Sequence, residues 1–216
     1  MKKNIIWIAS YPKSGSTWIR SIIVNILYSK NYNFNFELLR NIIEFDIPKN
    51  YNFLLPKNIE EFNNLNKIET LSKFWIKAQS NYNLLGDKKI FKTHSANISF
   101  QGNHYTIPET TRGLIYILRD PRDVVISFAH HNNETHEQTS KMITDNYILE
   151  AENQGRVPVY MGSWSLNYNS WKQFKKFNKY LLIKYEDLIV DKKENFKKIL
   201  YFIKNLTKIN FEIDDI

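Results

Sequence analysis

Three segments of this chain share one pattern, in which a short β-rich apolar run is followed by a polar turn and then by helical periodicity. The expected strands are 4–9, 113–118 and 180–184, and the expected helices are about 17–28, from 121 onwards, and about 194–205. Short apolar strands that alternate with helices are typical of a parallel sheet covered on both faces. The pattern therefore predicts an α/β fold, a three-layer sandwich with a central parallel sheet.

The polar turns after these strands are the expected place for a ligand, because ligands bind beyond the carboxyl ends of the strands in such sheets. A fourth candidate turn lies in KKIFKTHS at 88–95. A brief strand at 90–91 would there deliver Lys92 and His94. The sequence thus predicts one edge of the sheet at which four turns meet.

Two intervening segments are expected to form the walls of an acceptor pocket. Residues 31–87 are rich in Asn, Phe, Tyr and Leu, with short helices predicted near 58–66 and 69–80. Residues 129–163 hold a polar turn with histidines and a helix predicted from about 137 to 153.

Composition limits the class of protein only broadly. With 216 residues and 43% hydrophobic content, the chain can bury a full core, and we expect one domain over 1–216. The lack of cysteine excludes a disulfide framework and cysteine-ligated metal, and it favours a reducing compartment, by default the cytoplasm. The apolar run after Lys2 and Lys3 is too short for a signal peptide or a membrane span, so no membrane anchor is predicted.

The net charge of +8 favours an anionic partner. Nucleic acid, an anionic membrane surface and a polyphosphorylated small molecule would all fit this charge. Lys and Asn are abundant along the whole chain, so the charge alone does not choose among these partners.

The loop SYPKSGSTWIR at 10–20, directly after the first expected strand, is the strongest chemical signal. Successive backbone N–H groups at a helix N-terminus form a nest for an anion, and Gly15 permits its close approach. The polar side chains of the loop are Lys13, Ser14, Ser16 and Thr17. We therefore predict a P-loop-like phosphate-binding strand-loop-helix. The simpler alternative is an ordinary turn with Thr17 as N-cap and Lys13 in solvent.

The position of the lysine argues against an ATP-binding loop. The pattern GxxxxGK[ST] places its lysine after the last glycine, next to a hydroxyl that holds magnesium. Here Lys13 precedes Gly15, and Trp18 stands at the helix start, where its indole would cover a nucleotide or pack in the core. An ATP-dependent small-molecule kinase is therefore the weaker alternative.

YPKSGSTW, FKTH and YILRDPRDVVISF, in this order and spacing, resemble the cytosolic-type sulfotransferase family. The donor of that family is 3′-phosphoadenosine-5′-phosphosulfate (PAPS). GSW at 162–164, Trp171 and LLIKYEDL at 181–188 resemble further landmarks, so the likeness extends from 4 to about 206. The resemblance implies an enzyme that transfers a sulfuryl group from PAPS to a hydroxyl and releases 3′-phosphoadenosine-5′-phosphate (PAP).

The resemblance also implies which residues hold the donor. Those expected to grip the 5′-phosphosulfate are Lys13, Ser14, Gly15, Ser16, Thr17 and Trp18. The family most often has threonine in place of Ser16, a change that keeps the hydroxyl. Lys13 would reach the oxygen that bridges sulfur and phosphorus, where charge develops as the nucleotide leaves.

Arg119, Ser127 and Tyr185 match family residues that bind the other end of the donor. The resemblance implies that Arg119 and Ser127 hold the 3′-phosphate and that Tyr185 contacts the adenine. From the residues alone, Arg119 is equally consistent with a surface ion pair to Asp120 or Asp123. Asp120 is also a predicted N-cap, with proline at the first helical position.

His94 and Lys92 match the family's catalytic base and the lysine that binds the transferring oxygens. Because alternate residues of a strand point to the same side, the two side chains should lie together. Imidazole suits proton removal near neutral pH, although a lone histidine without these motifs would be read as structural. The resemblance implies in-line transfer without metal, with Lys13 and Lys92 offsetting charge. The remaining histidines, interpreted as surface or pocket-rim residues without metal-site spacing, are His104, His130, His131 and His136.

Two departures from the family pattern leave alternatives open. The RKGxxGDWK-like stretch that holds the 3′-phosphate in family members is missing from this sequence, which suggests a C-terminally truncated chain or, as the alternative, another element or subunit in its place. Asn167 stands where many relatives have a histidine. A competent sulfotransferase and a noncatalytic or impaired nucleotide-binding remnant are therefore both considered. The implied acceptor is a small-molecule or glycan alcohol, and no nucleic acid partner is expected.

Overall fold

The computed structural model describes residues 3–29, 31–52, 65–84, 89–151, 156–177 and 179–211. Its centre is a sheet of four parallel strands in the order β2-β1-β5-β8. The strands are β1 (Ile5–Ser10), β2 (Lys89–Thr93), β3 (Ser99–Phe100), β4 (Asn103–His104), β5 (Thr111–Leu118), β6 (Ile148–Leu149), β7 (Val159–Tyr160) and β8 (Tyr180–Lys184). The predicted parallel sheet is confirmed.

Helices pack on both faces of this sheet. The α-helices are α1 (Ser16–Tyr28), α2 (Ile68–Leu71), α3 (Trp75–Leu84), α4 (Pro121–Asn132), α5 (His136–Thr144), α6 (Trp164–Lys172), α7 (Tyr185–Val190) and α8 (Lys192–Thr207). Short 3₁₀ helices cover Phe36–Asn41, Pro48–Asn50, Ser72–Phe74 and Gln173–Phe177. Among the described ranges, no helix is long and apolar enough to cross a membrane.

The side chains of β1 point alternately to the two faces of the sheet, and this alternation explains the three layers. All six residues of β1 are buried, as expected for a central parallel strand whose two faces are both covered. Trp7 packs in one core with residues of α3 and α6, including Trp75 and Trp171. Ile6 and Ile8 pack in a second core with residues of α1 and α8, such as Ile23 and Ile203. The three-layer α/β sandwich is therefore confirmed.

Two predicted helices in the intervening segments differ from the structure. The helix expected over 137–153 ends at Thr144, and the chain then enters a short antiparallel pair formed by β6 and β7. At this end Asp145 adopts an extended conformation, and the Thr144 hydroxyl donates to the carbonyl of Lys141. The helix expected over 69–80 is divided by the 3₁₀ turn Ser72–Phe74. Most of the helix predicted near 58–66 lies outside the described residues.

Candidate functional site

The turns that follow the four parallel strands lie at one edge of the sheet. The 11–15 loop follows β1, His94 follows β2, Arg119 follows β5, and Tyr185 follows β8. Because parallel strands end on the same side, their turns converge. The sequence predicted this convergence of turns, and the structure confirms it.

The loop after β1 has the backbone shape of an anion-binding turn. Lys13 has φ of 64° and Gly15 has φ of 95°, so the chain twice enters the left-handed region before α1 begins at Ser16. Gly15 is the N-cap, and no side chain caps the helix. The alternative in which Thr17 caps an ordinary turn is therefore wrong. Backbone N–H groups at an uncapped N-terminus are available to an anion.

Gly15 also makes room for an aromatic ring. A Cβ atom at this position would lie 2.7 Å from Cδ2 of Tyr185. Such a contact is far inside van der Waals range, and the left-handed φ of Gly15 disfavours a side chain as well. Glycine at this position therefore lets the ring of Tyr185 lie against the loop.

Gly15→Ala is expected to lower the free energy of unfolding by about 2–4 kcal/mol, because it combines φ strain with overpacking against Tyr185. Gly102→Ala is the matched control, since Gly102 has φ of 81° but nothing within 4 Å of an added Cβ. Urea unfolding measures the loss of stability in each variant. Gly15→Ala adds both φ strain and the contact with Tyr185, whereas Gly102→Ala adds φ strain alone. Equal losses would show that the Tyr185 ring moves aside at no cost.

A cavity of about 360 Å³ opens at this loop, and we call it the loop cavity. It is lined by Lys13, Gly15, Ser16, Thr17, Arg20, Lys92, His94, Arg119 and Tyr185. Three of the predicted donor-binding residues do not line it. Ser14 is buried beneath the loop, and its hydroxyl has no hydrogen-bond partner among the described residues. Trp18 packs edge-on against Tyr185, and Ser127 lies on α4.

Arg119 is held in the loop cavity by its neighbours. Its Nη1 donates to the carbonyl oxygen of Lys13 at 2.8 Å, and its guanidinium lies 4.4 Å from the centre of the Tyr185 ring. Arg122, not Arg119, forms the ion pair with Asp120, at 2.6 Å. The alternative in which Arg119 is a surface ion-pair residue is therefore wrong.

A second cavity of about 210 Å³ adjoins the first, and we call it the Phe128 cavity. Its apolar lining residues are Pro12, Phe128, Met142, Tyr147, Leu149, Val159 and Met161. Its polar lining residues are Lys13, Glu44, Lys92, His94, His131, Asn132 and Arg156. Lys13, Lys92 and His94 line both cavities, so these three side chains mark the junction.

Hydrogen bonds fix the ring of His94 at this junction. Nδ1 lies 2.7 Å from the carbonyl oxygen of Ser10. Because a carbonyl oxygen only accepts, Nδ1 carries the proton and Nε2 keeps a free lone pair. Burial and the nearby Lys92 lower the pKa of His94 to about 3, so the ring is neutral near pH 7. A neutral imidazole with Nε2 unprotonated is the form that accepts a proton.

The side chain of Asn167 holds the backbone of His94 in place. Its Nδ2 donates to the carbonyl oxygens of His94 and Met161, each at 2.9 Å, and its Oδ1 accepts from the hydroxyl of Tyr116 at 2.8 Å. Asn167 is fully buried and lines neither cavity. Asn167, which stands where many family members have a histidine, therefore supports the backbone of His94 and does not line either cavity.

Lys92 forms a shielded ion pair at the junction. Its Nζ lies 2.7 Å from Oε1 of Glu44, and the two side chains are 10% and 29% exposed. Burial lowers the pKa of Lys92, and Glu44 opposes that shift. Burial raises the pKa of Glu44, but the charge and the hydrogen bond of Lys92 oppose this and leave that pKa below its usual value. The Glu44 carboxyl is therefore ionised at neutral pH and lies directly against the Lys92 side-chain nitrogen.

Sequence reasoning missed three charged residues of the two cavities, namely Arg20, Glu44 and Arg156. Arg20 lies one helical turn after Ser16, so the period of α1 was a usable signal for its position. Its Nη2 donates to the carbonyl of Leu39 at 3.1 Å. Glu44 and Arg156 come from irregular segments with no local signal for their place at this edge.

In the described part of the chain, no group of three or more His, Asp or Glu residues is placed to hold a metal ion.

The structure is that of an α/β protein with a P-loop-like strand-loop-helix. This follows from the parallel sheet, the left-handed turn after β1 and the lysines at the junction of the two cavities. A family model described as the sulfotransferase domain matches residues 3–213. The chain therefore belongs to the sulfotransferase domain family.

Named relatives agree with this family. Sulfotransferase 2A6 of Mus musculus is 24% identical over 210 residues, which cover 95% of this chain and 61% of that protein. Sulfotransferase 1E1 of Homo sapiens is 25% identical over 205 residues, which cover 91% of this chain and 58% of that protein. This chain thus spans about three fifths of the length of these curated relatives.

Solved structures share the fold. Mouse sulfotransferase SULT7A1 complexed with PAP matches with a TM-score of 0.56 and 21% identity, over 98% of this chain and 61% of that one. Retinol dehydratase in a complex with retinol and PAP matches with a TM-score of 0.56 and 18% identity, over 99% of this chain and 62% of that one. At these identities the matches establish the α/β fold.

Proposed function

We propose that this protein is a sulfotransferase that moves a sulfuryl group from PAPS to the hydroxyl of an alcohol or phenol and releases PAP. The observation that carries the proposal is the junction of the two cavities at Lys13, Lys92 and His94. A donor in the loop cavity and an acceptor in the Phe128 cavity would meet at these side chains. Family membership and the PAP held by two structures of the same fold support the choice of donor.

The loop cavity supplies groups suited to each part of this donor. Backbone N–H groups at the start of α1 and the hydroxyls of Ser16 and Thr17 would bind the 5′-phosphosulfate. Arg119 offers a planar fork for the 3′-phosphate, and its partner Ser127 stays a prediction from the family resemblance. Tyr185 offers a ring face and a hydroxyl to the adenine.

The reaction follows from the neutral form of His94. Nε2 accepts the proton of the acceptor hydroxyl while its oxygen forms a bond to sulfur. The bond from sulfur to the bridging oxygen breaks on the opposite side, and that oxygen leaves with PAP. Lys13 and Lys92 offset the charge that develops at the bridging oxygen and on the sulfuryl oxygens. These two cations would supply the charge that a metal ion supplies in many phosphoryl transferases.

The Phe128 cavity indicates a compact acceptor. Pockets for drug-sized ligands hold roughly 300–1,000 Å³, and this cavity holds about 210 Å³. A small phenol, a short alcohol or the end of a glycan would fit, with apolar side chains around its body and His94 at its hydroxyl.

The cytoplasmic location of the protein stays a prediction.

Two competing functions are separated by donor binding. A noncatalytic or impaired remnant would bind PAP without transferring sulfate, or bind it weakly, and an ATP-dependent kinase would prefer magnesium ATP. We favour transfer because the ring of His94 is neutral near pH 7, is oriented by the carbonyl of Ser10 and lies where the two cavities meet. The kinase is disfavoured because Lys13 precedes Gly15 in the loop.

Calorimetric titration with PAP tests the proposed donor site. Arg119→Met is expected to weaken PAP binding at least tenfold, because a phosphate would lose a charged, two-pronged partner. Arg122→Met is the matched control, since Arg122 is an exposed neighbour paired with Asp120, and its PAP affinity should stay within about twofold. Tighter binding of magnesium ATP than of PAP by the wild type would contradict the proposal.

A further inference from the structure

Glu44 is fixed beside Lys92 by the backbone as well as by the ion pair. The 43–45 segment runs parallel to β2, with Glu44 opposite Lys92. The N–H of Lys92 donates to the carbonyl of Ile43, and the N–H of Phe45 donates to the carbonyl of Lys92, each at 2.9 Å. Two backbone hydrogen bonds therefore hold the carboxylate where it meets the ammonium group.

We propose that Glu44 is a positioning residue for the transfer step, which holds the ammonium of Lys92 charged and oriented at the junction of the two cavities. This inference rests on the proposed function, because it assigns how Lys92 is prepared for the sulfuryl group. A lysine ammonium has three N–H donors, and Glu44 occupies one of them. Two donors are left for the oxygens of the transferring group.

The need for such a partner follows from the surroundings of Lys92. A buried ammonium tends to lose its proton, and a second cation nearby adds to that tendency. The charged or titratable groups around Lys92 are Lys13, Arg20, Glu44, Asp46, His94 and Arg156. His94 is neutral near pH 7, and burial raises the pKa of Asp46 to about 7. Asp46 is thus ionised only above about pH 7, and Glu44, which contacts Lys92 directly, raises the pKa of Lys92 more than Asp46 does.

Glu44→Gln tests this role while keeping the shape of the side chain. Without the carboxylate, the pKa of Lys92 should fall, because the largest cause that opposes its desolvation is lost. Because the protonated lysine is the active form, the alkaline limb of the kcat profile should move to lower pH by the same amount. At its optimum, kcat should fall about 10- to 100-fold, while the affinity for PAP stays within about threefold.

A double-variant cycle separates this role from a general loss of structure. In a Lys92→Met background, Glu44→Gln should have less than about a twofold further effect on kcat, because its target is gone. Glu37→Gln is the matched control, since Glu37 forms an exposed ion pair with Arg40 and lines neither cavity. An unchanged pH profile with a raised KM for the acceptor would overturn the proposal and make Glu44 an acceptor contact. Equal effects of Glu44→Gln in both backgrounds would overturn it too.

A measurement that does not depend on turnover separates the role of Glu44 from the proposed sulfotransferase function. NMR titration of the Lys92 side chain with labelled lysine measures its pKa in the donor-free wild type and in Glu44→Gln. An unchanged pKa of Lys92 in the variant overturns the role of Glu44, whatever the activity. Absence of sulfuryl transfer by the wild type overturns the proposed function instead, even where the pKa of Lys92 falls as expected.

Discussion

Replacement of His94 by asparagine is expected to lower kcat by about 10²- to 10⁴-fold, the usual contribution of a positioned general base. The affinity for PAP should change little, because the proposed contacts to phosphate come from the loop and Arg119. Asparagine can still donate to the carbonyl oxygen of Ser10, which accepts from Nδ1 in the wild type, so the scaffold should survive. Only the lone pair of Nε2 is lost.

Steady-state and single-turnover transfer assays measure this effect, with PAP titration as the binding readout. His104→Asn is the control, since His104 is exposed and lies in β4 away from both cavities. A His94→Asn enzyme that retains more than about a tenth of the wild-type kcat would show that His94 is not the base.

The low pKa of His94 has a consequence for stability that the same variant tests. The unfolded chain binds a proton at a histidine pKa of about 6.5, whereas the folded pKa is about 3. Stability contributed by this group is therefore present above pH 6.5 and is lost as the pH falls below it. By pH 5 the wild type should have lost about 2 kcal/mol that His94→Asn does not lose, as urea unfolding at both pH values would show.

Replacement of Lys13 by methionine is expected to lower the rate of the transfer step by about 10²- to 10³-fold, similar to the loss of one donor in an oxyanion hole. Methionine keeps the length and the apolar stem of the side chain. The carbonyl of Lys13 that accepts from Arg119 is unaffected, so the donor site should keep its shape. What is lost is the charge that stabilises the leaving oxygen.

Single-turnover kinetics separate this effect from binding. Lys73→Met serves as a control, since Lys73 is exposed on the 3₁₀ turn Ser72–Phe74. If Lys13→Met weakens PAPS binding but leaves the rate of the bound complex unchanged, Lys13 acts in the ground state alone, and its assignment to the transition state is wrong.

Local sequence patterns predicted most of what lies at the carboxyl edge of the sheet. The 180–184 strand was predicted with the bounds that the structure has, because apolar runs flanked by polar turns form buried parallel strands. The period of two in a strand placed Lys92 and His94 on one side, and both line the junction. Asp120 caps α4 as its position before proline predicted.

Residues fixed by tertiary contacts escaped prediction. Glu44 reaches the junction because its segment aligns with β2, a pairing between residues 48 positions apart that no local pattern reveals. Asn167 supports His94 across a sequence separation of 73 residues. Thr17 was a reasonable N-cap by residue type, but Gly15, with its left-handed φ, is the N-cap two residues earlier, and α1 begins at Ser16.

The most direct test of the central claim is transfer of radiosulfur from labelled PAPS to a compact phenol in the presence of EDTA, with PAP measured in the same reaction. The wild type is expected to label the phenol and to release one PAP for each sulfuryl group transferred, with no effect of the chelator. His94→Asn should release neither product at a comparable rate. Saturable PAP binding by the wild type, without label in any acceptor of a broad panel of alcohols, phenols and glycans, would contradict the claim that the two cavities form a transfer site.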